Sequence, residues 1–345
     1  MKKSYLIIGA GLAGLTLAYQ LKKRGQQVLL LDKGENHSSS IAAGIVNPMV
    51  FRRMNKSWRL DDFLPFSEAF YKELESLLDV FFYHPIPILR CFSSLQEKQW
   101  WLEKSAKREY EDYLHDFQNG NTEHPLLHCE FGMGKVKSAY WIDTSVFVEN
   151  FQKYFSTNNE LRVQEFHSGY LFPAEARYED KIYDGIIFCA GHAQKYLPYF
   201  HHLPIEQTKG QVMTIRTNEL SETESLNRKC FVLPLGEKLF KVGATYEWNN
   251  PTLHATPDGL HDLQDKLSHL YKGSYELIKQ DAGIRPTVKD RRPLLGQSDE
   301  YNRLYLFNGL GAKGYMMAPL LSLEMAELIL EGKEPPMEYN IKRFS

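Results

Sequence analysis

The sequence predicts an α/β fold built on a Rossmann-like dinucleotide-binding unit. Three observations carry that expectation: a short apolar run closed by the glycine turn "GAGLAG" at residues 9–14, a helix-periodic stretch after it, and a second apolar run that ends on Asp32.

Tyr5-Leu-Ile-Ile8 is apolar on both faces, the pattern of a buried parallel strand. Leu12, Leu15, Ala18, Tyr19 and Leu21 then recur at helical spacing, and Gly25 supplies a stop after Arg24. Val28 to Leu31 reads as the second strand. In this context Gly9 permits the tight turn, Gly11 lets the backbone approach a pyrophosphate, and Gly14 brings helix and strand together. With Leu12 and Ala13 inside the turn, the pyrophosphate would sit on the helix N-terminus. Asp32, followed by Lys33, stands where a carboxylate accepts from a ribose 2′-hydroxyl, which argues against a 2′-phosphate and hence against NADP.

The same glycine spacing returns in "NGLGAKG", residues 308–314, with Gly309, Gly311 and Gly314. Leu304 to Phe307 reads as a strand before it, and Pro319 to Leu330 as a helix with Pro in its first turn and Gly332 past its end. No acid-terminated strand follows, only "KEPPMEYNIKRFS", so the ribose-reading half is missing. The second turn is either a plain flexible turn or a loop holding another part of the first ligand. FAD suits the latter: one turn takes its pyrophosphate and the last loop, including Ala312 and Lys313, reaches its ring, where a helix dipole favours the reduced anion.

A chain of 345 residues with 43% hydrophobic content suggests two domains. Lys+Arg of 41 against Asp+Glu of 43 gives a formal charge of −2 and no global field for nucleic acid, leaving a local basic patch open. No apolar stretch is long enough to span a membrane, and the run from Tyr5 to Leu17 is too glycine-rich for a signal sequence, so a cytoplasmic protein is expected. Cys91, Cys129, Cys189 and Cys230 are far apart in sequence and read as reduced, buried thiols.

Four further stretches, taken with the two turns, resemble the D-amino-acid oxidase and glycine oxidase superfamily of FAD-dependent amine oxidoreductases, nearly end to end. "SSSIAAGIVNP" (38–48) is similar to the family's flavin-lining segment and brings in Ala43, Gly44 and Ile45. "YDGIIFCAGHAQKYL" (183–197) resembles its late strand and Ala190-Gly191 turn, and "IEQTKGQV" (205–212) its crossing into the substrate domain. "AGIRPTVKDRRPLLG" (282–296) followed by "NGLGAKGYMMAPLL" (308–321) is the most specific pair. It is most similar to the FAD oxidase half of bifunctional tRNA wobble-uridine modification enzymes, and next to glycine oxidase.

The resemblance implies a glutathione-reductase-type FAD domain from residues 1–80, 141–204 and 282–345, and a discontinuous mixed-sheet α+β substrate domain from 81–140 and 205–281. Phe231 to Leu235 and Leu239 to Thr245 are its β-like runs, and "SETESLNRK" (221–229) reads as a surface loop. Ile41 stands where histidine-linked relatives carry their flavin attachment, and no cysteine follows Cys230, so FAD is expected to be noncovalent. All 345 residues are taken up by the oxidase pattern, which leaves out the tRNA enzyme's methyltransferase half.

Arg285 matches the family arginine that grips the substrate carboxylate, a task for a planar fork that Lys cannot reproduce; it otherwise serves structure. Tyr246 resembles a substrate-facing aromatic, with core packing as the alternative. Lys313 either places charge near the flavin or lies exposed. Arg52 and Arg53 face a larger anionic substrate or are simply solvated; Trp100 and Trp101 read as interdomain packing; His37 and His192 receive no role. Three functions follow: oxidation of a small amino acid or N-substituted glycine, oxidative cleavage of a carboxymethylaminomethyl group on tRNA, or a non-catalytic flavin-binding subunit.

Overall fold

The structure is a computed structural model that describes residues 2–35, 38–118, 124–248 and 250–344. Its first layer is a six-stranded sheet in the order Leu161–Val163, Gln27–Asp32, Ser4–Ile8, Gly185–Phe188, Leu304–Asn308, Leu294–Gln297. All neighbours run parallel except the last pair. Tyr5 and Ile7 enter one apolar cluster and Leu6 and Ile8 another, which explains why the strand is apolar at every position: both sheet faces are covered. The expected helix spans Leu12–Lys23, and it packs on the last long helix, Gly314–Glu331.

That second helix differs from expectation at its start. It begins at Gly314, which leaves Pro319 in its interior. Proline has no N–H for the carbonyl four residues back, here Tyr315. The buried hydroxyl of Tyr71, on the helix Leu60–Leu78, donates to Tyr315 O at 2.7 Å and satisfies it from outside. Gly332, in the left-handed region, ends the helix as expected.

The second layer is an eight-stranded mixed sheet in the order Glu276–Val288, Ile205–Arg216, Leu239–Gly243, Phe231–Gly236, Ser225–Asn227, Ile88–Cys91, Met133–Val136, Leu114–Gln118. The two longest strands pair antiparallel, with Thr208 opposite Arg285 and Gly210 opposite Gly283. The segment 221–229 is not wholly a surface loop. Ser225–Asn227 is a strand with Ser225 and Leu226 buried, and it fills the gap beside Ile88–Cys91 as the parallel member of the sheet. The run expected to reach Thr245 ends at Gly243. Trp101 is fully buried among Met49, Met54, Ile88 and Phe92, a packing role. The fold also brings two distant cysteines together, with Cys129 Sγ 2.8 Å from Cys91 Sγ; all four thiols are free and buried. Among the described residues no helix is long and apolar enough to cross a membrane.

Candidate active site

The site forms where the two glycine turns meet. Gly9 has φ +105°, and a Cβ there would lie 2.5 Å from Cys189 O, so glycine alone lets the first turn lie against the Ala190-Gly191 turn. A Cβ on Gly14 would lie 1.9 Å from Gly9 O. Asp32 fastens the turn: its Oδ2 accepts from Ala10 N–H at 2.6 Å and its Oδ1 from Gly34 N–H at 2.8 Å. From the other end of the chain, Asn308 Nδ2 donates to Gly191 O at 3.0 Å, and Gly314 begins its helix against Leu12, which begins the other.

Residues at both helix N-termini line one cavity of about 580 Å³. Its wall takes Gly9, Gly11, Leu12 and Ala13 from the first turn, then Asp32 and Lys33, Ala43 to Ile45, Ala190 and Gly191, and Gly311 to Gly314. Arg285 and Tyr246 close it from the second sheet. Gly14 and Gly309 are buried and stand behind this wall.

Three serines that sequence reasoning did not single out hold the segment 38–47 in place. Ser38 Oγ accepts from Ile284 N–H at 3.0 Å and donates to Ile284 O at 2.6 Å, which fixes the residue before Arg285. Ser39 Oγ accepts from Leu12 N–H at 3.0 Å, and Ser39 O accepts from Tyr315 Oη at 2.8 Å. The single hydroxyl proton of Thr144 is shared between Ser40 O and Ala42 O, 2.8 and 2.9 Å from Oγ1. The only advance signal was their place in the quoted "SSSIAAGIVNP".

Arg285 lies over Gly210, with the guanidinium 4.7 Å above the Tyr246 ring and Nη1 3.4 Å from Thr245 O. No carboxylate among the described residues pairs with it. Burial lowers its pKa and Tyr246 opposes that, so this is a partly buried cation on a cavity wall with no carboxylate partner among the described residues. Tyr246 is 51% exposed and stands 5.9 Å from Trp248, at the mouth rather than in the core. Lys313 is partly buried and tethered: Nζ donates to Asn47 O at 3.3 Å and to Ser57 Oγ, and burial pushes its pKa down to about 8. Lys241, also missed, reaches the flavin-lining segment at Ala42 O, 3.4 Å away, and burial lowers its pKa. Arg52 and Arg53 are exposed on a short turn, His192 lines the cavity, and His37 lies outside the described residues.

These features fit an adenine dinucleotide with a ring at its far end. The first turn offers close backbone approach and a helix N-terminus, Asp32 offers a carboxylate at the end of its strand, and the second turn lines the same cavity beside them. Among the described residues no group of side chains could hold a metal ion.

The sequence profile of the family described as "FAD dependent oxidoreductase" (DAO) matches residues 4–328. A bifunctional ThiO/ThiG protein of Nostoc sp. is 26% identical over 369 residues, covering 98% of this chain and 54% of the relative. The tRNA 5-methylaminomethyl-2-thiouridine biosynthesis bifunctional protein MnmC of Leptospira interrogans is 24% identical, covering 99% of this chain and 59% of the relative. The chain thus spans little more than half of these bifunctional proteins. Glycine oxidase from Geobacillus kaustophilus has the same fold, with a TM-score of 0.82 at 18% identity, covering 100% of this chain and 98% of that one.

Proposed function

This chain belongs to the DAO family of FAD-dependent oxidoreductases, and from that premise we propose that it oxidises the C–N bond of a small amino acid or an N-substituted glycine. The supporting observation is Arg285. A partly buried guanidinium with no carboxylate partner among the described residues, lining a cavity, offers two parallel charge-assisted hydrogen bonds to a carboxylate.

In this reading FAD is held noncovalently. The turn from Gly9 to Gly14 takes the pyrophosphate, Asp32 the ribose, and the segments 43–45 and 311–314 the ring. When bound, FAD supplies a two-electron acceptor for the C–N bond. The protein orients the substrate. Arg285 fixes the carboxylate and therefore the α-carbon, and Tyr246 covers the guanidinium and limits water at the mouth. Positioning of this kind supplies several kcal/mol of rate without a general base. Residues 1–80, 141–204 and 282–345 serve the flavin and 81–140 and 205–281 the substrate, except that Arg285 reaches the substrate from the strand Glu276–Val288, which crosses the boundary.

Anaerobic addition of glycine, sarcosine, proline and D-amino acids to the FAD-loaded protein tests this directly. Bleaching of the visible flavin band by a small amino acid is expected. Bleaching only by tRNA bearing a carboxymethylaminomethyl group would replace this reading with RNA modification, and no bleaching by any of them would overturn it.

A further inference from the structure

Resting on the reading of Arg285 as the carboxylate anchor, we propose that Asn227 is a specificity residue at the far end of the same cavity. The preferred substrate is then an amino acid whose arm, on the nitrogen or the α-carbon, ends in a hydrogen-bond acceptor oxygen.

Val212 pairs with Gly243, Gly243 with Phe231, and Phe231 with Asn227, so these residues share one face of the second sheet. Gly210, two residues from Val212, lies on that face too, and Gly210, Val212, Phe231 and Asn227 all line the cavity. Asn227 Oδ1 accepts from Arg90 Nη1 at 2.5 Å. A guanidinium only donates, so the amide oxygen must face Arg90 and the NH2 must turn away from it. Arg90 is itself locked: Nε and Nη2 donate to Glu97 Oε1 at 2.8 and 2.5 Å, and Nη1 also donates to Arg228 O at 2.6 Å. Arg90 and Glu97 are 7% and 5% exposed and their charges cancel, so the cavity meets a neutral amide donor rather than a second cation. No acceptor among the described residues takes the Asn227 NH2. Its polar neighbour on the wall, Ser225, is already committed to Val232 O at 3.0 Å.

Three strand spacings separate the strand of Gly210, over which the Arg285 guanidinium lies, from that of Asn227, about 14 Å. Glycine cannot touch both. An arm of about four to six heavy atoms beyond the reacting carbon or nitrogen can: two hydrogen bonds of about 2.8 Å leave roughly 8 Å to cover, at about 1.25 Å of extension per bond.

The test compares kcat/KM of the FAD-loaded protein on two matched pairs: N-carboxypropylglycine against N-butylglycine, and α-aminoadipate against norleucine, each enantiomer. The unaltered protein is expected to favour the acid member of one pair by about 10- to 100-fold, the range of a hydrogen bond to a charged group. The pair that separates identifies where the arm is attached. Asn227→Asp keeps the Arg90 bond but turns an acceptor toward the cavity, and should abolish or reverse the preference. Asn227→Leu should abolish it without reversal. Equal turnover of both members by the unaltered protein, or the same preference in Asn227→Asp, overturns the proposal. So does an unchanged preference per bound flavin with an altered flavin spectrum, which would put Asn227 against the ring. If glycine or sarcosine bleaches the flavin while neither pair separates, the amine-oxidation reading stands and this inference fails. If no amine bleaches it, both fail.

Discussion

The guanidinium of Arg285 occupies the space that a side chain on Gly210 would fill. An ideal Cβ at Gly210 would lie 2.0 Å from Nη2, 2.3 Å from Cζ and 2.4 Å from Nη1. The two residues sit on neighbouring antiparallel strands, two positions out of register, so the long side chain of one lies across the bare backbone of the other.

Gly210→Ala should therefore displace the guanidinium while sparing the fold, because the atoms in the way are the far end of a flexible side chain. A shift of this size is expected to lower kcat/KM for amino acids about 100-fold, the effect of a roughly 1 Å misplacement, with flavin content unchanged. Kinetics and flavin absorbance on the same preparation check this.

Tyr71→Phe should destabilise the protein by about 1–3 kcal/mol, since it leaves the buried Tyr315 carbonyl opposite Pro319 without a donor. In a Pro319→Ala background the new N–H supplies that donor, and the same Tyr71→Phe change should cost much less. A double-mutant cycle by denaturant unfolding measures the coupling.

Much of the cofactor end was legible in the sequence because it is local. The turn, helix, second strand and Asp32 follow one another within 32 residues, and each was placed correctly. Arg285 was legible only through family resemblance, since no spacing argument links it to residue 210. The start of the last helix was misplaced because Pro319 normally marks a first turn, and its compensation comes from a residue 244 positions away. Ser225–Asn227 reads as loop in the sequence because a three-residue strand shows no usable alternation and is recruited by distant partners. The close approach of Cys91 and Cys129 has the same non-local origin.

Lys313 gives a pH signature. Its folded pKa is about 8 against an ordinary 10.5, so between these values the unfolded chain holds a proton that the folded chain lacks. Stability of the flavin-free protein should then rise with pH across that window, while below it the full cost of burying the charge is felt. Lys313→Met should flatten the rise, as read by urea unfolding at a series of pH values.

The central claim, that Arg285 anchors the substrate carboxylate, is tested most directly by Arg285→Lys, measuring flavin content and kcat/KM for the amino acid that best bleaches the unaltered protein. Lysine keeps the charge and loses the fork. The expected result is full flavin content with a loss of about 2–5 kcal/mol in kcat/KM. Unchanged turnover in that variant would remove Arg285 from the site.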